Sequence, residues 1–532
     1  MNKRYEQAIL KTFETAPRQT VSDLSNITGI HKRTVQRYLK ELVEDGKVHK
    51  EGAARSVFYE RVYNRDFASS SIVVILNGDI VGLLEYGQGE YLFAYDDKYQ
   101  GKPLPGLLKD QPNKAPELFA VFENLIPEHS RREKLLLQVK DIADVLLHLD
   151  NAHGAFDFVK LEELFKYKSK YSERPSYSSV KAKVLGHSEY PNVLDLEIAI
   201  DEDKLKNSTS TELSNLSGYQ HKIDVTIDWD KKVLSESWES DYLLKPMNRE
   251  LSDYFNGDEV MKGAKKRYYP LLALNEHLFM SFAKNELGFD VPYSGIVSTN
   301  YDFHYIVKRY DRYNAFKYNH LDFGQLLGIQ SKHKYDVSSE KLFEKINETL
   351  YDDKAKREAL KFYFYSYLIK HSDLHVKNIS ALEVVQDKYL LSPLYDVISV
   401  GLYNGEAHDL GLSFTHPVQK PVNLRMNRFY QLAKSIGISK ENFKKDAYHV
   451  MKAFIVKMPE YIQRTKKLES TLELRFNKTR NGYTNFSDRL ESMYQQRIIV
   501  FKKLGVLEEL GLLKLAGGPL NAQKISSTSK GL

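Results

Sequence analysis

Residues 357–385, REALKFYFYSYLIKHSDLHVKNISALEVV, constrain the fold more tightly than any other stretch of the chain. Apolar residues recur at helical spacing as far as Ile369, a polar loop follows, and apolar alternation resumes as it would in a strand. A loop fixed at both ends by buried elements keeps its shape while its side chains meet solvent, which is how reactive groups are held in place. Asp373, His375, Lys377 and Asn378 all lie in that loop, and His371 opens it. His371 and His375 at i, i+4 would share a helix face as zinc ligands do, but the loop context, with no Glu between them and no third ligand nearby, argues against that reading.

The rest of the chain is long enough for several cores. With 532 residues, 42% hydrophobic and 28% charged, it should form two to four compact units. It contains no Cys, which excludes disulfides, thiolate zinc sites and cysteine nucleophiles. The opening MNKRYEQAIL is charged and lacks an apolar signal core, and no stretch approaches membrane-spanning length. A cytoplasmic protein with no membrane partner is the expectation.

Charge is concentrated at the beginning. Of the formal net charge of +6, residues 1–65 hold +5, with 13 Lys and Arg against 8 Asp and Glu. EQAILKTFETA, TVSDLSNITGI and HKRTVQRYLKELVEDG read as three helices, the second capped by Thr or Ser and ended by Gly, the third amphipathic with Val35, Leu39 and Leu42 inward. KVHKEGAARSVFYERV then alternates like two short strands around a Gly-Ala turn. That is a winged helix-turn-helix, a fold that lays its second motif helix in the major groove. His31, Lys32, Arg33, Thr34, Gln36 and Arg37 are the expected DNA-binding residues on that helix, with Lys50 and Arg55 on the wing.

A second unit begins near residue 68. SIVVILNGDIVGLLEY is two apolar runs joined by Asn-Gly-Asp, a hairpin signal, and GEYLFAYDDKYQG adds a strand. The order of this hairpin, YLFAYDDKY, PLPG and FENLIPEHSRREKL resembles the N-terminal subdomain of HipA-like serine/threonine kinases, the toxins of HipBA-type toxin-antitoxin systems. Such an enzyme needs a phosphate cradle, a Lys for the phosphates, a residue facing the acceptor hydroxyl and metal ligands.

Each has a candidate. In SNLSGYQHKIDVTIDWD, Gly218 permits a tight anion-facing loop, and LSGYQHK is similar to the family's phosphate loop, which places Gly218, Gln220 and Lys222 at ATP. The family autophosphorylates a serine there, which points to Ser214 or Ser217. LLKP and NEHLFMSFAKNELG resemble the family's next strand and helix, and imply that Lys245 clamps phosphate with Glu276 as its partner. YDFHYIVKRYDR resembles the strand entering the linker between lobes, where the backbone from Val307 to Tyr310, including Lys308, would meet adenine. HLDFGQLLGIQSKHKYD resembles the segment after the linker, with Asp322, Gln325 and KHKYD matching in order.

The five-position interval from Asp373 to Asn378 is that of the protein-kinase catalytic loop, in which the Asp accepts the acceptor's proton and the Asn binds metal. A neutral amide oxygen can hold a metal there without adding a second full charge against the triphosphate. The string Asp373-Leu-His375-Val-Lys377-Asn378 is similar to the HipA-like Asp-x-His-x-Lys-Asn signature, which also implies that His375 and Lys377 line the ATP site. LSPLYDVIS resembles the segment carrying the second metal carboxylate, here Asp396, whose full charge suits Mg²⁺.

The expected architecture is α+β: a bilobal HipA-like kinase with a mixed N-lobe and an all-α C-lobe, behind a small winged helix-turn-helix. Its parts are residues 1–65, an N-terminal subdomain at 68–150, the N-lobe at 151–310, the C-lobe at 311–512, and a Gly/Ser/Lys-rich tail at 513–532 expected to be disordered. The resemblance implies ATP and Mg²⁺ as cofactors and a protein substrate, with an aminoacyl-tRNA synthetase one candidate. It also implies an antitoxin partner, or self-neutralisation through the fused DNA-binding domain. Two rival readings remain open: a small-molecule phosphotransferase, and a transcriptional regulator whose kinase-like part is an inactive sensor.

Overall fold

A computed structural model describes residues 3–13, 18–44, 48–51, 57–61, 71–87, 89–128, 132, 135–137, 139–149, 152–168, 175–186, 189–201, 204–205, 221–237, 240–247, 271–299, 302–314, 316–404, 408–415, 418–419, 421–472 and 485–517. The chain divides into two compact units, one of residues 1–119, 141–147 and 157–168, the other of residues 120–140, 148–156 and 169–532. Residues 120–140 and 148–156 thus belong to the second unit, although the chain on either side of 141–147 alternates between the two.

In the first unit, helices α1 (Lys3–Thr12), α2 (Val21–Thr28) and α3 (Lys32–Glu44) enclose a small core of Ile9, Phe13, Leu24, Val35, Leu39, Leu42 and Val48. Thr20 and Asp23 form a reciprocal capping box at the start of α2, and Gly29 ends it at φ 70°, a left-handed conformation that costs Gly little. Strands β1 (Arg18–Gln19), β2 (Val48–Glu51) and β3 (Phe58–Arg61) pair antiparallel in the order β1-β3-β2. The expected wing is therefore present, with an extra edge strand from before α2.

A second sheet runs β7-β6-β5-β4-β8, from β4 (Ser71–Leu76), β5 (Asp79–Gly87), β6 (Glu90–Tyr95), β7 (Asn113–Ala115) and β8 (Phe156–Lys160). Asn77 and Gly78 both have positive φ between β4 and β5, the backbone that a tight two-residue hairpin requires.

The second unit is built on a six-stranded sheet in the order β13-β14-β12-β10-β11-β9, using β9 (Glu197–Ala199), β10 (Ile223–Asp228), β11 (Val233–Glu236), β12 (Tyr242–Lys245), β13 (Ser294–Ser298) and β14 (Phe303–Lys308). Helix α4 (Leu272–Asn285) packs on β13 and β14 and is buried without a break from Leu274 to Ala283, so it has no solvent face. A short ribbon of β15 (Arg312–Tyr313) and β16 (Phe316–Lys317) leads to a three-stranded sheet, β17 (His320–Asp322), β18 (Ser380–Val385) and β19 (Lys388–Leu391).

The remainder is mostly helical, with one short antiparallel pair, Phe414–Thr415 and Val418–Gln419. α5 (Phe323–Leu327), α6 (Ser339–Thr349), α7 (Asp353–Leu368), α8 (Met426–Ser435), α9 (Lys440–Glu469) and α10 (Phe486–Lys503) share one large core with α4. Asp322 and Gln325, picked out in the sequence, form the capping box of α5, so their work is structural. Among the described residues, no helix is long and apolar enough to cross a membrane.

Candidate active site

The loop at residues 371–379 joins α7 to β18, as its apolar flanks predict. Lys370, at φ 55°, turns the chain out of α7, and the His371 N–H closes the turn on the Ser366 carbonyl at 2.9 Å. Arg497 of α10, almost fully buried, donates to the carbonyl oxygens of Leu368 (3.1 Å) and Tyr367 (2.5 Å) and pairs with Asp409 at 3.0 Å. The last exposed carbonyls of α7 are thus satisfied, and the loop starts from a fixed point. Gly411 lies against its other side: a Cβ there would stand 2.3 Å from the Leu374 oxygen and 2.9 Å from that of Ser372.

Within the loop the polar groups orient one another. The His375 N–H donates to Oδ1 of Asn378 at 3.1 Å, and the Lys377 N–H donates to Nδ1 of His375 at 3.2 Å. Burial holds His375 far below the ordinary imidazole range, so it is neutral. His371 is fully buried, and burial lowers it to about 3. The two histidines share no helix, and among the described residues no group of three or more His, Asp or Glu is placed to hold a metal.

Asp373 sits at the loop's outer edge and accepts a hydrogen bond from the Tyr335 hydroxyl. Burial pushes its carboxyl above the usual range, and the Tyr335 bond works in the opposite direction. Lys377 points inward: its ammonium pairs with Glu128 at 2.9 Å and donates to Ser331 Oγ at 2.9 Å. Glu128 also meets Lys334 at 2.7 Å, and although burial opposes ionisation, the two lysines hold it at about 2. These bonds supply the cation that the buried Glu128 carboxylate requires.

Lys245 ends β12 and Glu276 lies on α4, and the ammonium meets both carboxylate oxygens at 2.7 and 2.8 Å. The same ammonium also contacts Asp396. Burial raises Glu276 above the usual carboxylate range, whereas the half-buried Asp396 is kept well below it by Lys245 and Lys222. The two carboxylates are pushed in opposite directions because Asp396 has two cations near it and Glu276 is the more deeply buried. Lys222, buried at the start of β10, is lowered by its burial and has Asp396 within electrostatic reach. Asp396 itself adopts φ 51°. Its neighbour Tyr395 donates to the Lys377 carbonyl at 2.7 Å, which ties the Asp396 turn to the loop one residue before Asn378.

Asn378 and Asp396 offer one amide oxygen and one ionised carboxylate, both hard donors. This suits Mg²⁺, which keeps several waters and substrate phosphates beside one or two protein ligands.

At the linker, two expected adenine donors are already used. The Lys308 N–H bonds the Tyr293 carbonyl at 2.8 Å, and the Arg309 N–H bonds the Asp241 carbonyl at 2.7 Å. The Lys308 ammonium lies 5.4 Å from the Tyr242 ring centroid, and Tyr310 Oη is 2.7 Å from His320 Nε2.

His31, just before α3, and Lys32, Arg33, Gln36 and Arg37 on it are exposed, Thr34 is half-buried, and Lys50 is exposed on β2. Ser214, Ser217, Gly218, Gln220 and Arg55 lie outside the described residues. Sequence reasoning missed Glu128, Lys334, Tyr335, Arg497 and Asp409. Glu128, Lys334 and Tyr335 lie within strings that carry the resemblance, but their pairing with a loop more than thirty residues away is a product of the fold.

Residues 214–458 match the family model of the HipA-like C-terminal domain, 72–148 that of the HipA N-terminal domain, and 3–49 that of a winged helix-turn-helix DNA-binding domain. A Haemophilus influenzae protein provisionally named a kinase is 31% identical over 205 residues, 36% of this chain and 53% of that protein. The provisionally named kinase Y4dM of Sinorhizobium fredii is 28% identical over 181 residues, 31% of this chain and 43% of that protein. The chain thus spans about half the length of the curated relatives it matches. In the solved complex of Shewanella oneidensis HipA, HipB and operator DNA, a chain superposes with a TM-score of 0.53 at 15% identity, covering 82% of this chain and 99% of that one, a likeness of fold. With both HipA domains matched in order over more than half its length, the chain belongs to the HipA-like kinases and carries a winged helix-turn-helix domain at its N-terminus.

Proposed function

We propose that this chain is an ATP- and Mg²⁺-dependent protein serine/threonine kinase that binds DNA through its first domain. The observation that carries the reading is the contact of a single buried ammonium, Lys245, with Glu276 on α4 and with Asp396 beyond the catalytic loop. A lysine so placed is a point charge for phosphate oxygens, held by Glu276 when a nucleotide draws Asp396 away.

Asp373 faces the acceptor hydroxyl and takes its proton as the oxygen attacks, a task favoured by burial that raises its basicity. Lys245 and Lys222 balance the charge of the phosphates, and the Gly218 loop with Gln220 covers them. Asn378 and Asp396 would hold Mg²⁺, which when bound supplies neutralisation of charge on the transferring phosphoryl group. The acceptor is a hydroxyl of a cellular protein, with an aminoacyl-tRNA synthetase among the candidates, and Ser214 or Ser217 of the chain itself. The fused winged helix supports operator binding in cis, the role of a separate antitoxin in the HipBA arrangement.

The test is incubation with γ-labelled ATP and Mg²⁺ followed by phosphosite mapping, together with expression in a bacterial host. Label on Ser214 or Ser217 and growth arrest, both lost in Asp373→Asn, is the expected result. ATP binding with no transfer to any protein would leave a sensor domain in its place.

A further inference from the structure

Tyr335 stands in the turn after the short 3₁₀ segment Ser331–His333, and its hydroxyl donates to Oδ1 of Asp373. The residue is 41% exposed, so it contributes little to the core, yet its ring meets His375 edge-on with centroids 5.0 Å apart. The turn that presents it is firmly held. Glu123 Oε2 accepts the Ser331 N–H at 2.9 Å, Lys377 donates to Ser331 Oγ, and Glu128 bridges Lys334 to Lys377. Every one of these contacts ties residues 331–336 to the catalytic loop or to the 120–128 segment behind it.

A carboxylate acting as base must keep one oxygen aimed at the acceptor, but free rotation about its terminal torsion exchanges the two oxygens. A donor fixed on one oxygen removes that freedom. Building on the kinase reading, we propose that Tyr335 is a positioning residue for phosphoryl transfer: its hydroxyl occupies Oδ1 of Asp373 so that Oδ2 alone faces the acceptor hydroxyl. The raised basicity of Asp373 is compatible with this, since Tyr335 donates without transferring its proton; burial and Asp373 keep the phenol protonated.

The experiment uses the full chain with Tyr335→Phe, Tyr335→Ala and Asp373→Asn, following ADP release with water as acceptor and phosphate incorporation into the chain. Tyr335→Phe keeps the ring on His375 and loses only the donor. It should lower kcat about tenfold, the scale of one hydrogen bond to a charged group, with the KM for ATP within about twofold of wild type. Tyr335→Ala should fall at least as far. Wild-type or faster turnover by Tyr335→Phe, or a change confined to KM, overturns the assignment while Asp373→Asn remains silent. Undiminished turnover by Asp373→Asn overturns the kinase reading itself.

Discussion

The Lys245 ammonium lies 2.7 Å from Oε1 of Glu276 and also contacts Asp396, so two carboxylates from distant parts of the chain compete for one cation. The proposed function gives the metal to Asp396 and the acceptor proton to Asp373, two carboxylates that substitution can separate. Asp396→Asn removes the charge that would meet Mg²⁺ and should weaken Mg-ATP binding at least tenfold, whereas Asp373→Asn should leave nucleotide affinity within about twofold and abolish transfer. Calorimetric titration with Mg-ATP beside single-turnover transfer separates the two. Equal effects on both steps would undo these roles.

Gly411 offers a purely steric test. A methyl at its Cβ position would collide with the carbonyl oxygens of Leu374 and Ser372, and backbone cannot rotate away as a side chain can. Gly411→Ala should displace Asp373 and lower kcat about tenfold or more, since small misplacements near the reacting atoms cost heavily. The thermal transition should still be cooperative. Wild-type kcat in Gly411→Ala would mean that the loop tolerates movement at this point.

Glu128 makes a prediction about pH. Its carboxyl is depressed from 4.5 to about 2 in the folded protein, so its contribution is full above about 4.5 and is lost as pH falls through 2. That depression corresponds to roughly 3 kcal/mol. Glu128→Gln should therefore be destabilised by about that amount near pH 7, and the gap from wild type should close between about pH 4.5 and 2. Chemical denaturation across that range measures it; a constant gap would contradict the pairing with Lys334 and Lys377.

For the DNA-binding domain, Lys32→Ala, Arg33→Ala and Arg37→Ala should each weaken binding to the duplex upstream of the chain's own coding region. Each should also reduce the slope of log affinity against log salt by about one. Gln36→Ala should instead alter sequence preference. Fluorescence anisotropy at several salt concentrations distinguishes these effects, and wild-type slopes throughout would exclude the exposed face of α3.

Local pattern revealed much of this architecture. The hairpin at Asn77-Gly78, the three N-terminal helices and the helix-loop-strand around Asp373 all follow from periodicity and turn chemistry within a few residues. Lys245 stands out at the end of an apolar run, Glu276 is picked out with it through the resemblance of LLKP and NEHLFMSFAKNELG to the family, and the fold brings both together with Asp396. The brace behind the loop was not legible. Glu128 pairs with Lys377 across some 250 positions, and Arg497 reaches the end of α7 across about 130. Nothing in a charged residue's local pattern announces that it will be buried opposite another. The pairing of the Lys377 ammonium with Glu128 is likewise absent from the local pattern of its motif.

The left-handed backbone at Asp396 bears on how such a protein could lose its chemistry over time. Few side chains settle at positive φ without strain, and Asn is one of them. A single change from carboxylate to amide would keep the bend, the neighbouring Tyr395 anchor and the surrounding packing while discarding the ionic charge. An inactive descendant could therefore look intact in overall shape, and the side chain at this one position would be the place to tell a working copy from a silent one.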